Sequence, residues 1–204
     1  VGITGSNGKT IVKEWLNFLL SPDYNVIRSP KSYNSQVGVP LSVVAINEKH
    51  NLGIFEAGIS TVNEMDKLEK IIKPTIGVLT NIGSSHDEGF VNLDEKIKEK
   101  MQLFKDVEVL IYPKYSEIEN YINPHTNAFS WSFKDKTADV FVSKKVVSNH
   151  ETTLEYLYKG NAYELKIPLV DKASIENAVA SLLVMLHFEY EIDVIQSRME
   201  MLFP

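Results

Sequence analysis

Near its amino terminus the 204-residue chain carries Gly5-Ser6-Asn7-Gly8-Lys9-Thr10, in which two glycines and two small polar residues lead into a lysine and a hydroxyl. A loop free of large side chains lets consecutive backbone N–H groups converge on phosphate oxygens at the positive end of the following helix. On this reading Gly5, Ser6, Asn7 and Gly8 cradle the anion, Lys9 reaches the outer phosphates, and the Thr10 hydroxyl holds a magnesium ion. The usual phosphate loop has a further glycine five residues before the one preceding the lysine. That place is Ile3 here, with Gly2 and Gly5 on either side, so the loop is a variant.

Three further features carry chemistry. Glu56 stands in Glu56-Ala57-Gly58 at the end of an apolar run, where open α/β sheets place ligand chemistry. Beside Lys9 and Thr10, such a carboxylate is the expected magnesium ligand or water-positioning group. His86 lies in the polar loop Asn81 to Phe90, just past another apolar run, a position that suits a site role. Lys96, Lys98 and Lys100 share one helix, and spacing alone does not single one out.

The elements that must position these groups are legible from the pattern. Val1 to Thr4 reads as a strand and Ile11 to Leu20 as an amphipathic helix, followed by the breaker Ser21-Pro22-Asp23. Asn25 to Arg28, Leu52 to Gly58, Thr75 to Thr80 and Val107 to Tyr112 read as strands, and Thr75 to Thr80 is nearly continuous in apolar residues as expected when both faces are covered. Val37 to Ile46, Asn63 to Ile72 and Leu93 to Phe104 have helical spacing. This alternation predicts an α/β fold, a doubly wound and mostly parallel sheet with a phosphate loop, over residues 1–127.

Beyond it, Ala128 to Phe133, Val140 to Val147, Thr153 to Tyr158 and Ala162 to Ile167 alternate with period two, with a hairpin turn at Lys159-Gly160-Asn161. They predict a small antiparallel β extension over residues 128–170. Ser174 to Phe188 is predicted as a long helix with Ser174 as its N-cap, and Ile192 to Leu202 as one more.

Composition narrows the function classes. A net charge of −6 argues against a broad nucleic-acid or anionic-membrane surface, so the anionic ligand is expected to be met locally. The absence of cysteine excludes disulfides and thiolate metal sites and suits oxygen-ligated magnesium in the cytoplasm. No apolar run approaches the roughly 20 residues needed to span a bilayer. Residue 1 already stands inside the first predicted strand, the expectation being a segment of a longer chain.

Taken together, T-G-S-N-G-K-T (4–10), S-P-K-S-Y-N-S-Q-V-G-V-P-L (29–41), E-A-G (56–58), N-I-G-S-S-H-D-E-G-F (81–90) and I-E-N-A-V-A-S (175–181) resemble the central ATP-binding domain of the Mur ligase family. Within that family the 29–41 and 81–90 segments are similar to the type that adds D-alanyl-D-alanine to UDP-N-acetylmuramoyl-tripeptide. The resemblance implies an amide-forming ligase that activates a peptide carboxylate as an acyl phosphate and releases ADP and phosphate. It implies Lys9 on the outer phosphates, Thr10, Ser35 and Glu56 around a first magnesium ion, and His86 at a second.

By the same resemblance, Lys100 falls where the family carries a lysine carbamylated by carbon dioxide, which would help assemble the second metal site. Asn177 falls where a family asparagine contacts adenine, although the family's preceding histidine and glycine are Ala173 and Asp171 here. The amino-terminal UDP-sugar domain and the carboxy-terminal domain lie outside residues 1–204, so this segment alone is expected to be almost inactive. The alternatives are another Mur-type or folylpolyglutamate ligase, or a nucleotide-switched binding module without ligase activity.

Overall fold

The computed structural model describes residues 1–83 and 89–203. Nine strands form one sheet among the described residues: β1 Gly2–Thr4, β2 Val26–Arg28, β3 Leu52–Glu56, β4 Ile76–Leu79, β5 Val109–Pro113, β6 Asn127–Ser132, β7 Val140–Val147, β8 Thr152–Tyr158 and β9 Asn161–Ile167. Their order is β2-β3-β1-β4-β5-β6-β7-β8-β9. The pairs from β2 through β7 are parallel, and β7–β8 and β8–β9 are antiparallel.

The period-two run at Ala128 to Phe133, predicted to open an antiparallel extension, is instead β6, the next parallel strand, paired with β5 from Val109↔Asn127 to Pro113↔Trp131. It alternates because its outer residues are only partly covered, whereas β5 is buried along its whole length. The antiparallel part therefore begins only where β8 turns back on β7. The hairpin between β8 and β9 matches its prediction: Lys159 and Gly160 have φ of 49° and 78°, the two left-handed residues a tight hairpin demands.

The helices are α1 Lys9–Leu20, α2 Gly38–Val44, α3 Met65–Ile72, α4 Leu93–Met101, α5 Ser116–Glu119, α6 Lys172–His187 and α7 Ile192–Met199, with a 3₁₀ turn at Gln102–Phe104. Among the described residues no helix is long and apolar enough to cross a membrane. Successive strand residues face opposite layers, and both layers are buried. Ile3, Val78 and Ile111 pack with Trp15 and Leu16 of α1 and Val179 and Leu183 of α6. Leu79 and Leu110 pack with Met65, Leu68, Ile97 and Met101 on the other side. Coverage on both faces is why β4 and β5 read as unbroken apolar runs.

The N-cap of α6 is Asp171, whose side chain accepts from the Ser174 amide at 2.9 Å; the predicted cap, Ser174, lies inside the helix at its third position. Asp171→Ala is expected to cost about 1 kcal/mol of stability. Ser174→Ala, which leaves the capping amide in place, should change it by less than about 0.5 kcal/mol. Denaturant midpoints of the two variants check the ranking.

β1 stands where the strand order reverses, with β3 on one side and β4 on the other. The carboxyl ends of these three strands deliver Gly5, Ala57 and Thr80 to one edge, the crevice in which sheets of this kind bind ligands.

Candidate functional site

The loop between β1 and α1 is held from both neighbours. The Thr4 hydroxyl donates to the Ala57 carbonyl at 2.8 Å after β3. On the β4 side, the Ser6 amide donates to the Asn81 carbonyl at 2.9 Å and the Asn7 amide to Asn81 Oδ1 at 3.0 Å. The Gly83 amide donates to Ser6 Oγ at 2.9 Å. Gly8 caps α1 at φ 82°, and a Cβ there would come within 2.3 Å of the Asn177 side chain. Glycine is therefore required twice over, by backbone sign and by space. The leading amides of α1, which helix geometry leaves without intrahelical partners, open into this loop.

Three amines close over it. Lys9 Nζ donates to the Gly5 carbonyl at 2.9 Å, and Lys100 Nζ to the same oxygen at 3.2 Å. Lys96 Nζ donates to the Gly83 carbonyl. The structure thus selects among the three lysines of α4: Lys96 and Lys100 are buried and turned to the loop, while Lys98 is exposed. Burial lowers the Lys9 ammonium below the usual lysine value, and the Glu56 carboxylate opposes that fall. Lys100 is pushed down to about 7, by burial first and then by the Lys9 and Lys96 charges.

The acid stands opposite. Glu56, the last residue of β3, is fully buried, and its Oε2 accepts from the Thr10 hydroxyl at 2.8 Å. Glu56 Oε1 has no hydrogen-bond partner and faces Lys13 Nζ at 3.5 Å. Thr10 Oγ1 also lies 3.3 Å from Ser32 Oγ. Hard oxygens from a carboxylate and hydroxyls, one carboxylate oxygen being free of hydrogen bonds, suit magnesium. Among the described residues there is no group of three or more His, Cys, Asp or Glu that could hold a metal. Thr10 and Glu56 would thus share the ion with phosphate oxygens and water.

Ser35, which the resemblance implied beside the first magnesium ion, lies on the loop before α2. It is exposed, and its hydroxyl accepts from the Gly38 and Val37 amides at 3.2 and 3.4 Å, while Ser32 Oγ is the hydroxyl that lies beside Thr10. His86 lies outside the described residues. Asn177 is 4% exposed, and its Oδ1, without a hydrogen-bond partner, lies against Gly8 of the loop. The sequence reading missed Lys13, Ser32 and Thr80, whose hydroxyl donates to the Asn7 carbonyl. The signal for Lys13 was available: it shares an α1 stripe with Val12, Trp15 and Leu16, where a lysine needs an acid partner. A cleft of about 410 Å³ opens at the ends of β5 and β6, lined by Tyr115, Trp131, Phe133 and Glu176.

A doubly wound sheet with a glycine loop at its switch point, a lysine folded over that loop and a hydroxyl–carboxylate pair beside it define a phosphate-loop α/β domain. Residues 3–185 match the Mur ligase middle domain, and the chain belongs to that family. The UDP-N-acetylmuramoyl-tripeptide--D-alanyl-D-alanine ligase of Borreliella burgdorferi is 30% identical over 187 residues, a match that covers 88% of this chain and 39% of that protein. The Bacillus subtilis enzyme of the same name is 29% identical over 187 residues, covering 89% and 40%. The chain thus spans about two fifths of the length of these relatives. Among solved structures, MurF from Acinetobacter baumannii superposes with a TM-score of 0.89 at 22% identity, over 100% of this chain and 46% of that one. MurF ligase from Thermotoga maritima in complex with ADP gives 0.87 at 24% identity, over 100% and 48%. At these identities the structural likeness shows the fold.

Proposed function

We propose that this chain is the ATP-binding core of a cytoplasmic, ATP-dependent ligase of peptidoglycan precursor synthesis. The reaction joins D-alanyl-D-alanine to UDP-N-acetylmuramoyl-tripeptide through an acyl phosphate. The observation that carries the reading is the convergence of Lys9 and Lys100 on the Gly5 carbonyl while Thr10 meets Glu56 on the other side of the same loop. The family membership and the names of the relatives support the choice of substrates.

Each residue has a definable task. The α1 amides and the Gly5–Gly8 backbone bind phosphate oxygens, and Lys9 leaves the Gly5 carbonyl to neutralise the outer phosphates. Bound magnesium supplies further neutralisation of the charge that spreads over the transferred phosphoryl group. Thr10 and Glu56 hold that ion, and Ser35 could join only by releasing the α2 amides. His86 and Lys100 belong to a second ion in this proposal. The Lys100 amine, with a substantial neutral fraction near pH 7, attacks carbon dioxide through its nitrogen lone pair. A C–N bond forms, a proton leaves, and the resulting carbamate replaces a cation with an anion at the site. Asn177 contributes from the α6 side, where its unpartnered carbonyl oxygen faces the loop and is available to the nucleotide.

The test is a product assay on the full-length protein with ATP, magnesium, UDP-N-acetylmuramoyl-tripeptide and D-alanyl-D-alanine. The expected outcome is stoichiometric ADP, phosphate and UDP-linked pentapeptide, identified by mass. Amide formation with glutamate or a single amino acid in place of the dipeptide would overturn the substrate assignment. ATP binding without any amide product would overturn the ligase reading.

A further inference from the structure

Lys13 follows Lys9 by one turn of α1 and is fully buried. Its amine lies 3.5 Å from Glu56 Oε1 and 3.1 Å from Glu14 Oε1, and it donates to the carbonyl of Lys31. Glu14 in turn is held by Arg28 at 2.8 Å, at the end of β2. A buried ammonium is tolerated only where acids and carbonyls replace its water, so this arrangement constrains every partner.

Two of those partners lead to the metal side of the site. Glu56 has one oxygen on Thr10 and the other on Lys13, so the cation and the hydroxyl between them fix the plane of the carboxylate. Lys31 has a φ of 49°, in the left-handed region a lysine rarely adopts, and its carbonyl is directed onto Lys13 at the start of the loop that brings Ser32 to Thr10. The Glu56 amide lies 3.4 Å from Ser29 Oγ, joining the same loop to β3.

We infer that Lys13 is a positioning residue for metal binding: it orients Glu56 from the side opposite Thr10 and pins the loop carrying Ser32 beside them. It touches neither nucleotide nor metal in this scheme. It also sets a charge balance in which the buried acid is compensated before any ion arrives, which makes an otherwise costly preformed carboxylate stable. The inference rests on the proposed metal site at Thr10 and Glu56, and the experiment separates the two.

Full-length protein is titrated with manganese in the presence of a non-hydrolysable ATP analogue, with free manganese read by electron paramagnetic resonance. The same set is assayed for the magnesium concentration giving half-maximal turnover. Wild type should bind manganese in a nucleotide-dependent manner, and failure of that control would overturn the metal site itself. Lys13→Met should weaken manganese binding and raise the magnesium requirement by about tenfold or more, the usual cost of losing an outer-shell partner. Its kcat at saturating magnesium should recover to within about threefold. Lys13→Gln keeps an N–H for the Lys31 carbonyl but removes the charge, and it decides the matter by the same criterion if the methionine variant does not fold. Manganese affinity within twofold of wild type in a folded variant would overturn the inference, as would a lowered kcat with unchanged metal affinity.

Discussion

Lys9→Ala in the full-length protein is expected to lower turnover by about a thousandfold, with nucleotide binding weakened as well. Among the described residues Lys9 is the one amine that is both on the loop's first carbonyl and only partly enclosed, so it can swing to phosphate without unpacking a helix. Its amine lies within reach of Gly5 at 2.9 Å and Ser6 at 3.4 Å, which places it over the concavity that the α1 amides face. Alanine leaves the loop backbone and Gly8 unchanged, so the fold should persist with a thermal midpoint near that of wild type. ADP release under saturating substrates is the readout. Turnover like that of wild type would remove this loop from the mechanism.

Lys100 is expected to separate activity from stability. Its folded-state value of about 7, against 10.5 ordinarily, means the folded chain binds one proton fewer than the unfolded chain between those pH values. Stability therefore rises with pH across that window, and Lys100 imposes its full cost below about pH 7, on the order of 5 kcal/mol. Lys100→Met removes that cost and should raise the thermal midpoint at pH 6 to 7 in buffer depleted of carbon dioxide, with the gain fading as pH approaches 10. The same position should be needed for ligation, as the proposed carbamate is the anion that turns a three-amine cluster into a metal site. Lys100→Ala is expected to lose about a hundredfold or more in turnover and to recover part of it with added short-chain carboxylates. Unimpaired turnover of Lys100→Ala would reject the carbamate assignment.

The sequence made the sheet from β1 to β5 legible because strands covered on both faces leave unbroken apolar runs, as at Ile76 to Leu79. It misled at β6, where partial exposure imitates the alternation of an antiparallel strand, although the pairing partner is the parallel β5. Asp171 and Ser174 both look like caps in a string of letters, and only the helix start distinguishes them.

The site divides in the same way. Lys9, Thr10 and Glu56 were legible because a glycine loop and a strand-end acid are local signals. Ser32 was missed because its approach to Thr10 depends on the turn at Lys31, whose carbonyl accepts from Lys13, and not on a local spacing. Asn177 was read as a base contact, and its packing on Gly8 is a long-range fact that no spacing along the chain encodes.

The most direct test of the central claim is anomalous scattering from crystals of the full-length protein grown with manganese and a non-hydrolysable ATP analogue. The account predicts a manganese peak within about 2.5 Å of Thr10 Oγ1 and within one water of Glu56, with the terminal phosphate on Lys9 and the α1 amides. A nucleotide seated in the Tyr115–Trp131–Phe133 cleft, with its phosphates away from Gly5 to Thr10 and no manganese between Thr10 and Glu56, would contradict it.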